Sequence, residues 1–176
     1  MDYKTKLIKF NSTEKYKREY KFLKSLIGSK PKTVLDYGCG VGSNVEKLNA
    51  FTEHMVFGYD ATKWNDDFTY IDSMGQYDVI YFMHSIAHVQ YVGPLLSRIK
   101  RNNLNKGGKI IVITPNADWL KQNENPEYIP DPTVFKHYNM ETLSQLFNDC
   151  GYSVEMIGQF GQVTNGINER IFAIAK

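Results

Sequence analysis

Cysteine is scarce in this chain: among its 176 residues only Cys39 and Cys150 carry thiols. Neither stands in a C-x-x-C spacing, so no cysteine-based metal motif is present. We read both as free thiols of a cytoplasmic protein. Long apolar runs are missing too. No stretch of about 18 apolar residues occurs, which excludes a membrane-spanning helix as the sequence reads. The first residues, MDYKTKLIKF, lack the apolar stretch of a secretion signal. Internal repeats and low-complexity linkers are also absent. A chain of this length buries roughly 70% of its unfolded surface, so it needs neither disulfide nor metal to supply a core. One domain over residues 1–176 is the expectation.

Charge is nearly balanced, at +2, but it is not evenly spread. Residues 1–32 hold ten Lys/Arg against three Asp/Glu, while the remainder holds eleven against sixteen. Such a basic segment attracts an anionic substrate or a nucleic acid, or is simply a solvated helix face.

The hydrophobic pattern alternates between strand and helix, which argues for an α/β fold with a parallel sheet covered on both faces. A helix is expected over residues 11–27. Asn11 would cap it with Glu14 three places on, and Tyr16, Tyr20, Leu23 and Ile27 would form its apolar face. Strands are expected at 33–36, 55–59, 68–71, 78–83, 109–114, 152–157 and 170–175. Further helices are expected at 44–50, 94–101 and 140–150.

The segment Leu35-Asp36-Tyr37-Gly38-Cys39-Gly40-Val41-Gly42 carries the strongest signal. Glycines directly after a strand permit a tight turn and close approach of backbone to a ligand. The helix that follows offers free N–H groups and a positive dipole end. Asp60 ends the next strand, 18 residues beyond Gly42, where a carboxylate can accept both hydroxyl hydrogens of a ribose. The spacing is G-x-G-x-G, not the G-x-G-x-x-G of dinucleotide sites. Asp36 beside the turn would repel a pyrophosphate and would suit an amino group. S-adenosylmethionine, with a ribose at one end and an amino acid at the other, fits that charge pattern better.

These segments resemble those of class I S-adenosylmethionine-dependent methyltransferases. VLDYGCGVGSN is similar to their first motif and GYDAT, at 58–62, to their second. YIDS, YDVIYFMHSIAHV, LNKGGKIIVITPN, GYSVEMIG and ERIFAIAK resemble the later elements, so the likeness spans 33–176. It implies a Rossmann-like doubly wound sheet of seven strands, order 3-2-1-4-5-7-6, with strand seven antiparallel. It also implies residue roles. Gly38, Cys39 and Gly40 would pack against the methionine part, with Asp36 near its amino group. Asp60, with Ala61 beside it, would hold the ribose, Asp72 and Ser73 would meet adenine, and Met83 and His84 would lie near the reacting methyl.

The stretch Met83 to Val89 is similar to that of the ubiquinone-pathway O-methyltransferase group, which carries E-x-x-E-H there. In this chain the acidic positions are His84 and Ala87, and only His88 matches. Hard cations want oxygen ligands, so no metal is expected. His84 and His88, four apart, would share one face of a helical turn, with His88 the candidate base and His84 the candidate acceptor-orienting group. Residues 116–139 would form a substrate-side insert, with Trp119, Tyr128, Phe135, His137 and Tyr138 holding a planar acceptor or filling a local core. Residues 1–30 read as a helical cap whose first 27 residues the core could lose and still fold.

The expected reaction is methyl transfer to O or N of a small molecule, possibly anionic, without membrane or nucleic-acid partner. A tRNA or peptide acceptor is the alternative. A non-catalytic S-adenosylmethionine-binding module and a nicotinamide-dependent oxidoreductase are readings of other classes. The latter is weakened by the missing third glycine.

Overall fold

The computed structural model describes residues 3–123 and 131–176. The chain runs α1 (Tyr3–Asn11), α2 (Glu14–Ile27), β1 (Thr33–Tyr37), α3 (Ser43–Phe51), β2 (Met55–Tyr59) and β3 (Tyr77–Met83). A short 3-10 turn (Ile86–His88) follows, then α4 (Val92–Asn102), β4 (Leu104–Pro115), α5 (Ala117–Gln122), α6 (Met140–Asp149), β5 (Val154–Thr164) and β6 (Ile167–Ala175).

Period-two alternation assigns each strand residue to a side of the sheet. Val34, Val79, Tyr81, Ile111 and Ile113 face one layer, where Leu23 and Ile27 of α2 and Val45 and Leu48 of α3 cover them. Leu35, Ile80, Phe82, Ile110 and Val112 face the other, under Leu96 and Ile99 of α4 and Leu143 and Phe147 of α6. Both faces are dry, so the central strands read as near-continuous apolar runs.

Among the described residues the sheet has six strands, in the order β2-β1-β3-β4-β6-β5. β1 to β4 run parallel, and β6 is antiparallel to both β4 and β5. This corrects the expected seven strands and the order 3-2-1-4-5-7-6, because the strand expected at 68–71 does not form. Only Ile71 N–H reaches β2, donating to Gly58 O at 2.9 Å. Phe68 and Tyr70 turn inward instead. Phe68 fills the space beside Gly42 and Gly58, and the Tyr70 hydroxyl donates to Gly40 O at 2.7 Å. Their side chains support the glycine turn, at the expense of a further parallel edge pairing on β2.

The N-terminal helix also differs from expectation. It breaks at Ser12, and Thr13 caps α2 by accepting from Tyr16 N–H. Tyr16, Glu19, Leu23 and Ile27 are buried on the sheet. Leu23 and Ile27 each contribute on the order of 2 kcal/mol by burial, so α2 is a core layer and not a dispensable cover. No helix among the described residues is long and apolar enough to cross a membrane.

Candidate active site

β1, β2 and β3 end at the same edge, where doubly wound sheets bind ligands. A cavity of about 720 Å³ opens there. Its floor is the turn after β1. Gly38 N–H and Cys39 N–H both donate to Tyr59 O, at 2.7 and 3.1 Å, which ties the turn to the tip of β2. Gly38 has φ 79°, and a Cβ on it would lie 2.4 Å from Ser85 Cβ. Glycine is therefore required here both by backbone conformation and by the tip of β3. Gly42, at φ 86°, starts α3.

Two carboxylates stand at the strand tips in different states. Asp36 is 1% exposed. Burial pushes its pKa up to about 7; Asp60 adds to the rise, while Tyr81 and Asn44 oppose it. Asp36 Oδ2, Asn44 Oδ1 and the Tyr81 hydroxyl are buried without a well-formed hydrogen bond. Buried polar atoms are nearly always paired, so the open acceptors, Asp36 Oδ2 and Asn44 Oδ1, can take a donor from the cavity. Asp60 is already oriented: Oδ2 accepts from Gly40 N–H at 2.9 Å and Oδ1 from Thr62 N–H at 3.0 Å. A carboxylate oxygen accepts more than one hydrogen bond, so both retain capacity toward a diol.

Asp36, Gly38, Cys39, Gly40, Asp60, Ala61, Met83, His84 and His88 all line this cavity. Asp72 and Ser73 do not. Asp72 pairs with Lys63 at 2.9 Å on the surface, with its side chain 84% exposed. The cause is the unformed strand: without a ladder at 68–71, the chain beyond Ile71 leaves the sheet edge and carries Asp72 away from the cavity. Burial pushes the Cys39 thiol well up, so it is a wall group and no nucleophile.

The two histidines do not share a helical face. His84 precedes the 3-10 turn with φ 61°, and its N–H extends the β3–β4 pairing by donating to Ile113 O at 2.8 Å. His84 Nε2 lies 2.6 Å from Glu19 Oε2. Glu19 Oε1 accepts from Arg170 Nε at 2.8 Å, and Arg170 Nη1 lies 3.3 Å from Glu169 Oε1, which also pairs with Lys15. Burial alone would raise the Glu19 pKa, but His84, Arg170 and Lys15 outweigh it and hold the carboxyl below its usual value. His88 ends the 3-10 turn, with Nδ1 2.8 Å from Thr133 Oγ1. Thr133 donates its only hydroxyl hydrogen to Asp131 at 2.6 Å, so it accepts from His88 Nδ1–H. No group of three His, Cys, Asp or Glu gathers as a metal-ligand set among the described residues.

Thr133 brings the insert to the cavity wall, and Phe135 N–H docks it on Ala87 O at 2.9 Å. The insert's aromatics take separate places. Tyr138 is buried in the core below α6, Trp119 Nε1 donates to Thr164 at 3.2 Å, and Phe135 and His137 face solvent. Tyr128 lies outside the described residues. Sequence reasoning missed Asn11, Tyr16, Trp64 and Thr133 on the wall, and Glu19 and Arg170 behind it. Trp64, four residues past Asp60, had a positional signal; Glu19 and Arg170, separated by 151 residues, had none.

The sequence matches the profile of the Methyltransferase domain family over residues 9–156. The chain belongs to this family and is a class I S-adenosylmethionine-dependent methyltransferase. No curated protein sequence matches it. Among solved structures, a SAM-dependent methyltransferase from Aquifex aeolicus superposes with TM-score 0.72 at 16% identity, over 99% of this chain and 98% of that one. The Burkholderia thailandensis 1,6-didemethyltoxoflavin-N1-methyltransferase, which holds its substrate and S-adenosylhomocysteine, gives TM-score 0.69 at 14% identity, over 94% and 79%. The small RNA methyltransferase HEN1 gives 0.68 at 17% identity, over 92% of this chain but 25% of that protein. At these identities the likeness is one of fold.

Proposed function

We propose that the cavity at the β1–β3 tips holds S-adenosylmethionine and a small, uncharged or cationic acceptor, and that the enzyme methylates O or N of that acceptor. The observation that carries this reading is the buried Asp36, whose Oδ2 has no well-formed hydrogen bond, beside an oriented Asp60. Asp36 fits the amino group of the methionine part, and Gly38, Cys39 and Gly40 pack beside it. Asp60 fits the ribose, with Ala61 and Trp64 at the base end of the same wall. The cofactor supplies an activated methyl on a sulfonium. The protein's contribution is alignment, worth roughly 7–11 kcal/mol when reacting atoms are well placed.

Met83, His84, His88 and Thr133 also line the cavity. His88 keeps its proton on Nδ1 toward Thr133, which leaves Nε2 to accept one. A base matters only when the acceptor holds its proton near neutral pH, and then adds about 10²–10⁴-fold. Among the described residues the wall carries Asp36 and Asp60 but no Lys or Arg. None of the described basic side chains of the N-terminal segment lines the cavity, although its Asn11 and Tyr16 do, so an uncharged or cationic acceptor suits this wall better than the expected anionic one.

That basic surface favours a second reading. Lys17, Arg18, Lys21 and Lys24 lie exposed on α2, the helix whose Tyr16 lines the cavity. An RNA acceptor would use such a face for phosphate contacts. Calorimetric titration with S-adenosylmethionine, followed by a labelled-methyl screen of small molecules against total RNA, tests both readings. Transfer to small molecules supports the first, and label in RNA that declines steeply with salt supports the second. Absence of cofactor binding refutes both.

A further inference from the structure

The buried charges behind His84 stand apart from the strand-tip cavity, which neither Glu19 nor Arg170 lines. Both are nonetheless almost fully enclosed, at 3% and 6% exposure. Burying an ion costs several kcal/mol even after relaxation, and apolar replacements are often neutral or stabilising. His84 adds a second cost, a left-handed backbone at φ 61° in a residue other than glycine, on the order of 1–3 kcal/mol. Both costs meet at one imidazole on the cavity wall.

We propose that Glu19 is a positioning residue for methyl transfer: clamped by Arg170, its carboxylate holds the His84 ring in place and keeps its proton on Nε2. This rests on the cavity being the transfer site. The chemistry follows from donor and acceptor capacity. An ionised carboxylate only accepts, so the 2.6 Å contact requires Nε2–H. In the neutral ring Nδ1 is then the hydrogen-bond acceptor. An acceptor O–H or N–H can then donate to His84 Nδ1, so His84 orients the acceptor while His88 remains the proton-accepting group. Arg170 keeps Glu19 from swinging away, and Glu169 and Lys15 hold Arg170 and the start of α2 to β6. The arrangement spans α2, β3 and β6, so the ring's geometry is set by the tertiary fold and not by its own turn.

The test is nitrogen-15 NMR of the uniformly labelled full chain without acceptor, on the alkaline side of the histidine range, with His84→Gln identifying the signal. The expected wild-type result is an Nε2–H tautomer with an unprotonated Nδ1. Glu19→Gln/Arg170→Gln removes the clamp without leaving an unpaired buried charge from this pair, and should give a mixture of tautomers. An Nδ1–H tautomer or a doubly protonated ring in the wild type overturns the proposal, and needs no variant to fold. An unchanged tautomer in the folded double variant overturns it as well. Calorimetry with S-adenosylmethionine separates the two layers: affinity within about twofold of wild type in the double variant is expected. Failure of the wild type to bind would sink the cavity reading while leaving the tautomer result intact.

Discussion

As the proposed partner of the cofactor's amino group, Asp36 should make cofactor affinity depend on pH. In the free protein its pKa stands at about 7, raised from 3.8 by burial. An amino group needs the ionised form as partner, so bound cofactor drives the pKa down and releases a proton. At pH 6 only about one molecule in eleven carries the carboxylate, and at pH 5 about one in a hundred. Apparent affinity should therefore fall roughly tenfold per pH unit below 7, or about 1.4 kcal/mol each. Calorimetry at pH 6 in buffers of different ionisation enthalpy should register close to one proton released per cofactor. Asp36→Asn should flatten the profile between pH 5 and 7 and abolish the release. The sign for stability is the opposite. An acid whose folded pKa is raised binds protons more tightly in the folded state, so stability is present at low pH and is lost as pH rises from about 4 to 7. Between pH 5 and 7 the free protein should lose roughly 2 kcal/mol from this group, and Asp36→Asn should melt higher than wild type at pH 7. A wild-type affinity independent of pH over this range, with no proton release, would refute the reasoning.

Asp60→Ala removes the ribose acceptor and the two backbone hydrogen bonds that shape the turn. Cofactor affinity should drop by roughly 1.5–3 kcal/mol, as charge-assisted bonds are worth about that each; calorimetry that finds no loss in a folded variant removes Asp60 from the site. Gly38→Ala should destabilise the fold by about 2–4 kcal/mol, summing left-handed strain and overpacking against Ser85. Chemical denaturation measures it, and wild-type stability would show that the turn relaxes freely. Deleting residues 1–27 should leave a chain that does not fold, because Leu23, Ile27 and Tyr16 cover the sheet; a cooperative melt in the truncated protein would show that α2 is only a cover.

Much of the cofactor site is legible in local sequence because it is built at strand tips. Asp36 lies in β1, Gly38 and Gly40 follow it within a few residues, and Asp60 directly follows β2. Parallel pairing of β1 with β2 then brings them together without further information. The apolar runs of β3 and β4 are equally plain, since a strand covered on both faces has nowhere to place polar groups. Asp72 is where this local logic failed. Its expected place depended on an edge strand at 68–71, and edge pairing is weakly specified when the side chains have better partners elsewhere. Phe68 and Tyr70 found theirs under the glycine turn.

Sequence alone thus determined the class of fold, the family and the two carboxylates at the strand tips, because each rests on periodicity or on residues close in the chain. Tertiary structure alone decided the surroundings of the histidines. His84 acquires Glu19 from α2 and, through it, Arg170 from β6. His88 acquires Thr133 from the insert, 45 residues away. It also decided that the described basic side chains of α2 stay outside the cavity. Charge on an amphipathic helix follows the solvent-facing side, and which side faces solvent is set only when α2 meets the sheet.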